Sequence, residues 1–270
     1  MSTSGPVIEA KNLTVGYEMA RERQRLTALT GINLTVNRGE FVVLVGPSGC
    51  GKTTLINAIA GLVKPWVGKI LVNGQSVVGP GSDRAMVFQD YALLPWRTVK
   101  QNIRLPFEMH NRHLPKDEVE ERISHYISLV DLEGFEDSFP YELSGGMKQR
   151  VGIARALVSG PDILLADEPF AAIDAMTREA MQWELERVVS QTGQTVVFIT
   201  HSIDEAIALG DRVVVISYRP GKIKEIVDVD LPRPRFEQDV KSSPEYVRLR
   251  EHVWDLVRDE AIQATRGRAR

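Results

Sequence analysis

Gly46-Pro47-Ser48-Gly49-Cys50-Gly51-Lys52-Thr53 is the stretch on which the reading of this chain turns. It fits the pattern G-x-x-x-x-G-K-[ST]. On its N-terminal side, Phe41–Val45 is rich in β-branched residues and reads as a strand. On its C-terminal side, Leu55, Ile56, Ile59 and Leu62 recur at helical spacing over 52–62, ahead of Pro65. A glycine-rich turn between strand and helix lets successive backbone N–H groups converge on phosphate oxygens, and the helix start adds partial positive charge. The spacing therefore predicts a nucleotide held by Gly46, Pro47, Ser48, Gly49, Cys50, Gly51, Lys52, Thr53 and Thr54. Lys52 would reach the β- and γ-phosphates, and the Thr53 hydroxyl would ligate magnesium.

Outward from this loop, segments 7–13, 32–36, 69–73 and 84–88 read as further strands, with a turn over 37–40. From about 99 to 156 the pattern becomes helical. Within it, 118–132 places Val119, Ile123, Tyr126, Ile127 and Val130 on one apolar stripe. Strands and helices then alternate: 162–166, a helix over 178–190, 195–200, a helix from Ile203, and 212–217. Such alternation implies a largely parallel sheet covered by helices. Segment 231–235, Leu-Pro-Arg-Pro-Arg, reads as a Pro-broken linker. A last amphipathic helix would bury Tyr246, Leu249, Val253, Trp254 and Val257.

Composition narrows the class. Of 270 residues, 43% are hydrophobic, enough for a core and too many for a disordered chain. One cysteine excludes a disulfide scaffold. A formal charge of −3 argues against a dedicated nucleic-acid binder. No apolar run approaches the roughly 18 residues of a membrane span. The start, Met1 to Pro6, lacks the charge and apolar run of a secretion signal, so an intracellular chain is expected.

Two further segments carry chemistry. Ile163-Leu164-Leu165-Ala166-Asp167-Glu168 is an apolar strand ending in two carboxylates. Asp167 would hold magnesium through its water shell, and Glu168 would polarise the attacking water. In Leu143-Ser144-Gly145-Gly146-Met147-Lys148-Gln149-Arg150, a serine and two glycines open a helix as a second cluster of anion-binding amides. One ATP does not need two such clusters, which hints at a site shared between two copies.

This last segment resembles the signature of ATP-binding-cassette (ABC) ATPases, and the resemblance runs through about residue 230. It implies an α/β P-loop NTPase fold: a RecA-like, largely parallel sheet with an antiparallel β subdomain, plus an inserted helical subdomain. The boundaries expected are 1–89 with 157–230 for the nucleotide-binding core, 90–156 for the helical subdomain, and 231–270 for a linker and helix. By the same resemblance Tyr17 stacks on adenine, and Gln89 touches magnesium and senses the γ-phosphate. Ala171-Ala172-Ile173-Asp174 is similar to the D-loop, with Asp174 as its acid, and His201 to the switch histidine. Met147 replaces the commoner glutamine of the signature, and the D-loop reads Ala-Ala-Ile-Asp rather than Ser-Ala-Leu-Asp. The family implies a head-to-tail dimer that sandwiches two ATP molecules with Mg2+. Leu143, Ser144, Gly145, Gly146 and Met147 of each copy would face the ATP of the other.

Residues 79–84 and 87–97 look like those of the nitrate/sulfonate/taurine importer group, which includes bicarbonate members. The implied protein is the ATPase of an importer for a small anion or sulfonate, peripheral on the cytoplasmic face of the membrane. Its partners would be a permease and, indirectly, a solute-binding protein, with no nucleic acid. The alternatives are another solute class or a soluble non-transport ABC ATPase. Leu93, Leu94 and Trp96 form an apolar cluster after Gln89, read either as core or as anchors in a permease-docking groove. Cys50, close to Lys52 and a helix start, is expected to have a lowered pKa and to be alkylated unless ATP protects it. His110, His113, His125 and His252 form no ligand pattern, and 266–270 reads as a frayed end.

Overall fold

The computed structural model describes residues 5–19, 24–88, 90–109, 114–171, 174–233, 235 and 240–268. Its contacts divide the chain into two units: Met1–Gly81 with Thr195–Arg270, and Ser82–Gln194.

The first unit opens with a long antiparallel pair, β1 (Pro6–Met19) and β2 (Gln24–Asn37). In β2, Ile32, Leu34 and Val36 are buried while Gly31, Asn33 and Thr35 are exposed, the period of a strand with one face in the core. Both strands run well beyond the spans legible in the sequence. Register shifts between Ala10 and Leu13 and between Val15 and Gly16 break the alternation that would have shown it. β3 (Phe41–Val45) is buried at every residue, as a central strand must be. The phosphate-loop segment leads from it into α1 (Lys52–Ala60). β4 (Val67–Val72) pairs antiparallel with β1, and the short β5 (Gln75–Ser76) completes the order β2-β1-β4-β5.

The second unit holds two parallel strands, β6 (Arg84–Val87) and β7 (Ile163–Asp167), paired from Arg84 against Ile163 to Val87 against Ala166. Between them in the chain come α2 (Val99–Met109), α3 (Lys116–Leu129) and α4 (Gly145–Leu157). Val119, Ile123 and Ile127 of α3, Ile103 and Phe107 of α2, and Val151 and Ala154 of α4 close one apolar core. The stripe read from 118–132 is the inward face of α3, whose helix ends three residues earlier than expected. α5 (Ala175–Thr192) follows β7.

The chain then returns to the first unit with β8 (Thr195–Ile199), α6 (Ile203–Leu209), β9 (Arg212–Ile216), β10 (Ile223–Asp228) and α7 (Pro244–Arg268). Within this unit β3 lies between β8 and β9, parallel to both, and β10 runs antiparallel to β9. The α/β architecture is the expected one, with an antiparallel sheet in the first unit and the helical insertion in the second. The helices of 90–156 share their unit with β6, β7 and α5.

Two features lay beyond the sequence reading, and one expectation needs correction. β10 was not legible, because Lys224, Glu225 and Asp228 interrupt its apolar residues. Two arginines of the linker read at 231–235 are anchored. Arg235 is 5% exposed and donates to the carbonyls of Ile207 (2.9 Å), Gly210 (2.5 Å) and Val229 (3.0 Å), while Arg233 donates to Leu209 O (2.6 Å) and Asp211 (2.7 Å). Finally, α7 buries Tyr246, Val253, Glu260 and Ala264, while Trp254 is 56% exposed. A seven-residue step keeps 246, 253 and 260 on one face, and position 254 lies about 100° around the helix from 253.

Candidate nucleotide site

β3 delivers the chain to Gly46, whose φ of +151° is rarely adopted by L side chains. A Cβ there would lie 2.5 Å from the carbonyl oxygen of Ile216 at the end of β9, so glycine is required by the close approach of the neighbouring strand. The loop closes on itself through Cys50 N–H to Pro47 O at 3.2 Å. α1 then starts after Gly51 with no side-chain cap and no acidic residue in its first turn. Its dipole is not neutralised locally, and its first N–H groups have no intrahelical acceptors. Lys52 is buried, and its Nζ donates to Gly46 O at 2.8 Å and Pro47 O at 3.3 Å, drawing the loop around a positive charge. Ser48, Gly49 and Thr53 are exposed, whereas Thr54 is buried. The Thr54 hydroxyl shares a hydrogen bond of 3.1 Å with the Tyr17 hydroxyl, which brings the β1 aromatic, 42% exposed, to the side of α1.

Cys50 departs from expectation. It is fully buried, and that burial pushes its thiol pKa up, outweighing the lowering effect of the Lys52 charge. Proximity to a cation and a helix start was legible in the sequence; the loss of water was not.

His201 follows β8 and is exposed. Because β8 and β3 are parallel, their C-terminal ends share one edge, with Thr200 N–H donating to Leu44 O at 3.4 Å. The Thr200 hydroxyl donates to Glu205 at 2.5 Å and accepts from Ser202 N–H at 2.9 Å. Ser202 in turn caps α6. His201 thus stands on a turn pinned at both ends.

In the second unit, Asp167 closes β7 and is buried, and Glu168 is half-buried. Glu168 has φ +45°, a left-handed conformation for a residue without the usual excuse of an Asn or Gly. Such a conformation costs on the order of 1–3 kcal/mol and concentrates at functional sites. Ser144 caps α4, its hydroxyl accepting from Met147 N–H at 3.2 Å, and no acidic residue follows in the first turn. Leu143 is buried and Met147 packs against the helical core, so it is Ser144 and Gly145 that face outward, with Gly146 half-buried against the Thr177 methyl. Asp174 caps α5, accepting from Thr177 N–H at 3.1 Å. The hydrogen bonds from Thr177 hold its carboxyl below the usual carboxylate range. Gln89, Ala172 and Ile173 lie outside the described residues, as do His110 and His113.

The apolar trio after Gln89 divides. Leu93 packs against the helical core and Leu94 is half-buried, while Trp96 is 71% exposed. Two residues of this unit escaped the sequence reading. Arg155, in the last turn of α4, donates at 2.7 Å to each of the carbonyls of Tyr91 and Ala92, both of which have positive φ. Burial lowers its pKa. Gln149 is fully buried, and neither atom of its amide has a partner.

A family model described as ABC transporter matches residues 29–171, just over half of the chain. The chain belongs to the ABC transporter family. The cassette is 49% identical over 257 residues to an uncharacterized ABC transporter ATP-binding protein of Methanocaldococcus jannaschii, covering 95% of this chain and 93% of that one. It is 48% identical over 227 residues to the nitrate import ATP-binding protein NrtC of Synechocystis, covering 84% of this chain but only 34% of NrtC. Among solved structures it is similar to the dimeric ATP-binding cassette MJ0796 bound to ADP and Pi. There the TM-score is 0.73 and the identity 33%, with 83% of this chain and 100% of that one covered. The cassette is an ATPase of this family. Among its described residues no helix is long and apolar enough to cross a membrane.

Proposed function

We propose that the cassette energises an importer for a small anion or sulfonate, docked to a separate permease on the cytoplasmic face of the membrane. The observation that carries the ATP reading is the loop of 46–54, wrapped around the buried Lys52 ammonium at a helix start without local acid. Lys52 and the loop amides bind the β- and γ-phosphates. Tyr17 stacks on the base. Glu168 accepts a hydrogen bond from the water that attacks the γ-phosphorus; the bond to the β-phosphate oxygen breaks, and ADP and Pi leave. His201 contacts the γ-phosphate end of the nucleotide. Thr53, Gln89 and Asp167 offer hydroxyl, amide and carboxylate oxygens, a hard donor set that fits Mg2+. When bound, the ion neutralises charge on the β- and γ-phosphates.

Two copies meet head to tail. The exposed Ser144 and Gly145, with half-buried Gly146 behind them, form a capped helix start with no acid in its first turn that suits the triphosphate held by the other copy. Asp174 belongs to the same contact. Trp96, standing clear of the core, is the anchor for the permease, with the half-buried Leu94 and the core-packed Leu93 as lesser contributors. The likeness to NrtC supports nitrate among the candidate solutes, and the resemblance of 79–84 and 87–97 supports the wider anion and sulfonate group.

Glu168→Gln tests the catalytic assignment: it keeps ATP binding, lowers turnover by about 10²–10⁴-fold, and accumulates an ATP-bound dimer measurable by light scattering. Brisk hydrolysis by this variant overturns the role. The solute class is tested by ATP hydrolysis of the cassette with its permease in vesicles, where nitrate, bicarbonate or a sulfonate should stimulate the rate. Equal rates with every solute overturn that part.

A further inference from the structure

The phosphate loop is braced from outside by the turn joining β9 to β10. Arg219 Nε donates to Gly49 O at 2.5 Å. Gly49 has φ +78°, and a side chain there would lie 2.7 Å from the same guanidinium, so the contact is tight as well as hydrogen-bonded. The turn is itself tied down. Gly221 N–H donates to Ala28 O at 2.8 Å and Gly221 O accepts from Thr30 N–H at 3.0 Å, while Ser217 and Lys222 close its neck.

Its other support comes from α7. Glu260, 5% exposed, accepts from Tyr218 N–H at 2.8 Å through one oxygen and pairs with Lys224 Nζ at 3.0 Å through the other. Lys224 also donates to Leu256 O at 3.0 Å. A buried carboxylate held by two donors resists displacement, because breaking either contact strands a charge away from water. The peptide plane transmits the constraint: a fixed Gly49 carbonyl fixes the orientation of the peptide that carries the Cys50 N–H.

We propose that Arg219 and Glu260 are positioning residues for the phosphate loop, so that the C-terminal helix sets the affinity of the cassette for ATP. The inference rests on the assignment of 46–54 as the ATP-binding loop. It gives α7 a role that its place far along the chain would not suggest. Arg219 holds the loop in its receptive shape, and Glu260 holds Arg219's turn in reach of the loop.

The test uses the full chain with Arg219→Ala, Glu260→Ala, Glu260→Gln and the Arg219→Ala/Glu260→Ala double variant. Equilibrium binding of MgATP, KM, kcat and Tm are read for each. Loss of one charge-assisted hydrogen bond should raise Kd and KM about tenfold with kcat little changed. The double variant should be no weaker than Arg219→Ala, since both residues act through one contact. Arg219→Lys should restore part of the affinity. If Glu260→Ala lowers Tm, Glu260→Gln decides: its amide oxygen keeps an acceptor for Tyr218 N–H while its NH2 replaces the oxygen that pairs with Lys224. Its Kd should therefore lie between those of wild type and Glu260→Ala, and a Kd as weak as that of Glu260→Ala overturns the role of the Tyr218 contact. Wild-type Kd and KM in Arg219→Ala, a fall in kcat alone, or additive losses in the double variant overturn the proposal. A wild-type chain that binds no MgATP overturns instead the assignment of the loop.

Discussion

At the scale of single residues, the phosphate loop shows how far type and spacing alone can be read. Lys52 answers to a short-range demand, closing the loop on the carbonyls of Gly46 and Pro47, whereas Gly46 is held to glycine by Ile216 O on a distant strand. Cys50 marks the limit. Its reactivity depends on water, and water access depends on neighbours far along the chain, such as Gly221, which lies against the Cys50 carbonyl. Iodoacetamide at neutral pH should therefore label the native chain slowly and with little effect of ATP, and label it fast once urea exposes the thiol. Rapid labelling of the native protein, followed by mass spectrometry, would contradict the burial of Cys50 and the upward push that burial gives its thiol pKa. Arg219 was illegible for the same reason, since its partner Gly49 is 170 residues away. Arg155 and Gln149 read as ordinary helix residues until packing gives one two carbonyl partners and the other none. The left-handed backbone of Glu168 leaves no trace in residue type at all.

At the scale of elements, helix starts organise the second unit. α4 and α5 are each capped by the side chain that precedes them, Ser144 and Asp174, and Gly146 lies against Thr177 near both caps. The Asp174 carboxylate titrates below its ordinary value of 3.8, because the Thr177 hydrogen bonds favour the charged form. A carboxyl with a lowered folded-state pKa stabilises the fold fully above its unfolded pKa and loses that effect as pH falls through the folded value. Asp174→Ala should accordingly lower the urea midpoint at pH 7, and the gap from wild type should close as the pH is taken below about 3.8. A gap that stays constant with pH would show that the carboxylate charge contributes nothing. Helices were legible wherever an apolar stripe was continuous, as in α3. α7 was misread at Trp254 because its buried face includes Glu260, which no hydrophobic pattern would place inside.

At the scale of the whole molecule, the proposed division of labour makes hydrolysis a property of pairs. The ATPase rate per chain should fall on dilution below the dimer dissociation constant, as followed by phosphate release against concentration. A constant specific rate down to monomer would remove the need for a second copy. The order of strands around β3 has a further consequence, for biogenesis. β3 and the loop after it are made within the first quarter of the chain, yet the strands that flank β3 are β8 and β9, near residues 195 to 216. Residues 82–194 form a contiguous unit that can collapse on its own contacts as it leaves the ribosome. The central strand must wait, at about 5–20 residues per second, until the late strands emerge to sheathe it. During that interval Phe41–Val45 is an uncovered apolar segment, the place where a translational pause or a holding chaperone would matter most.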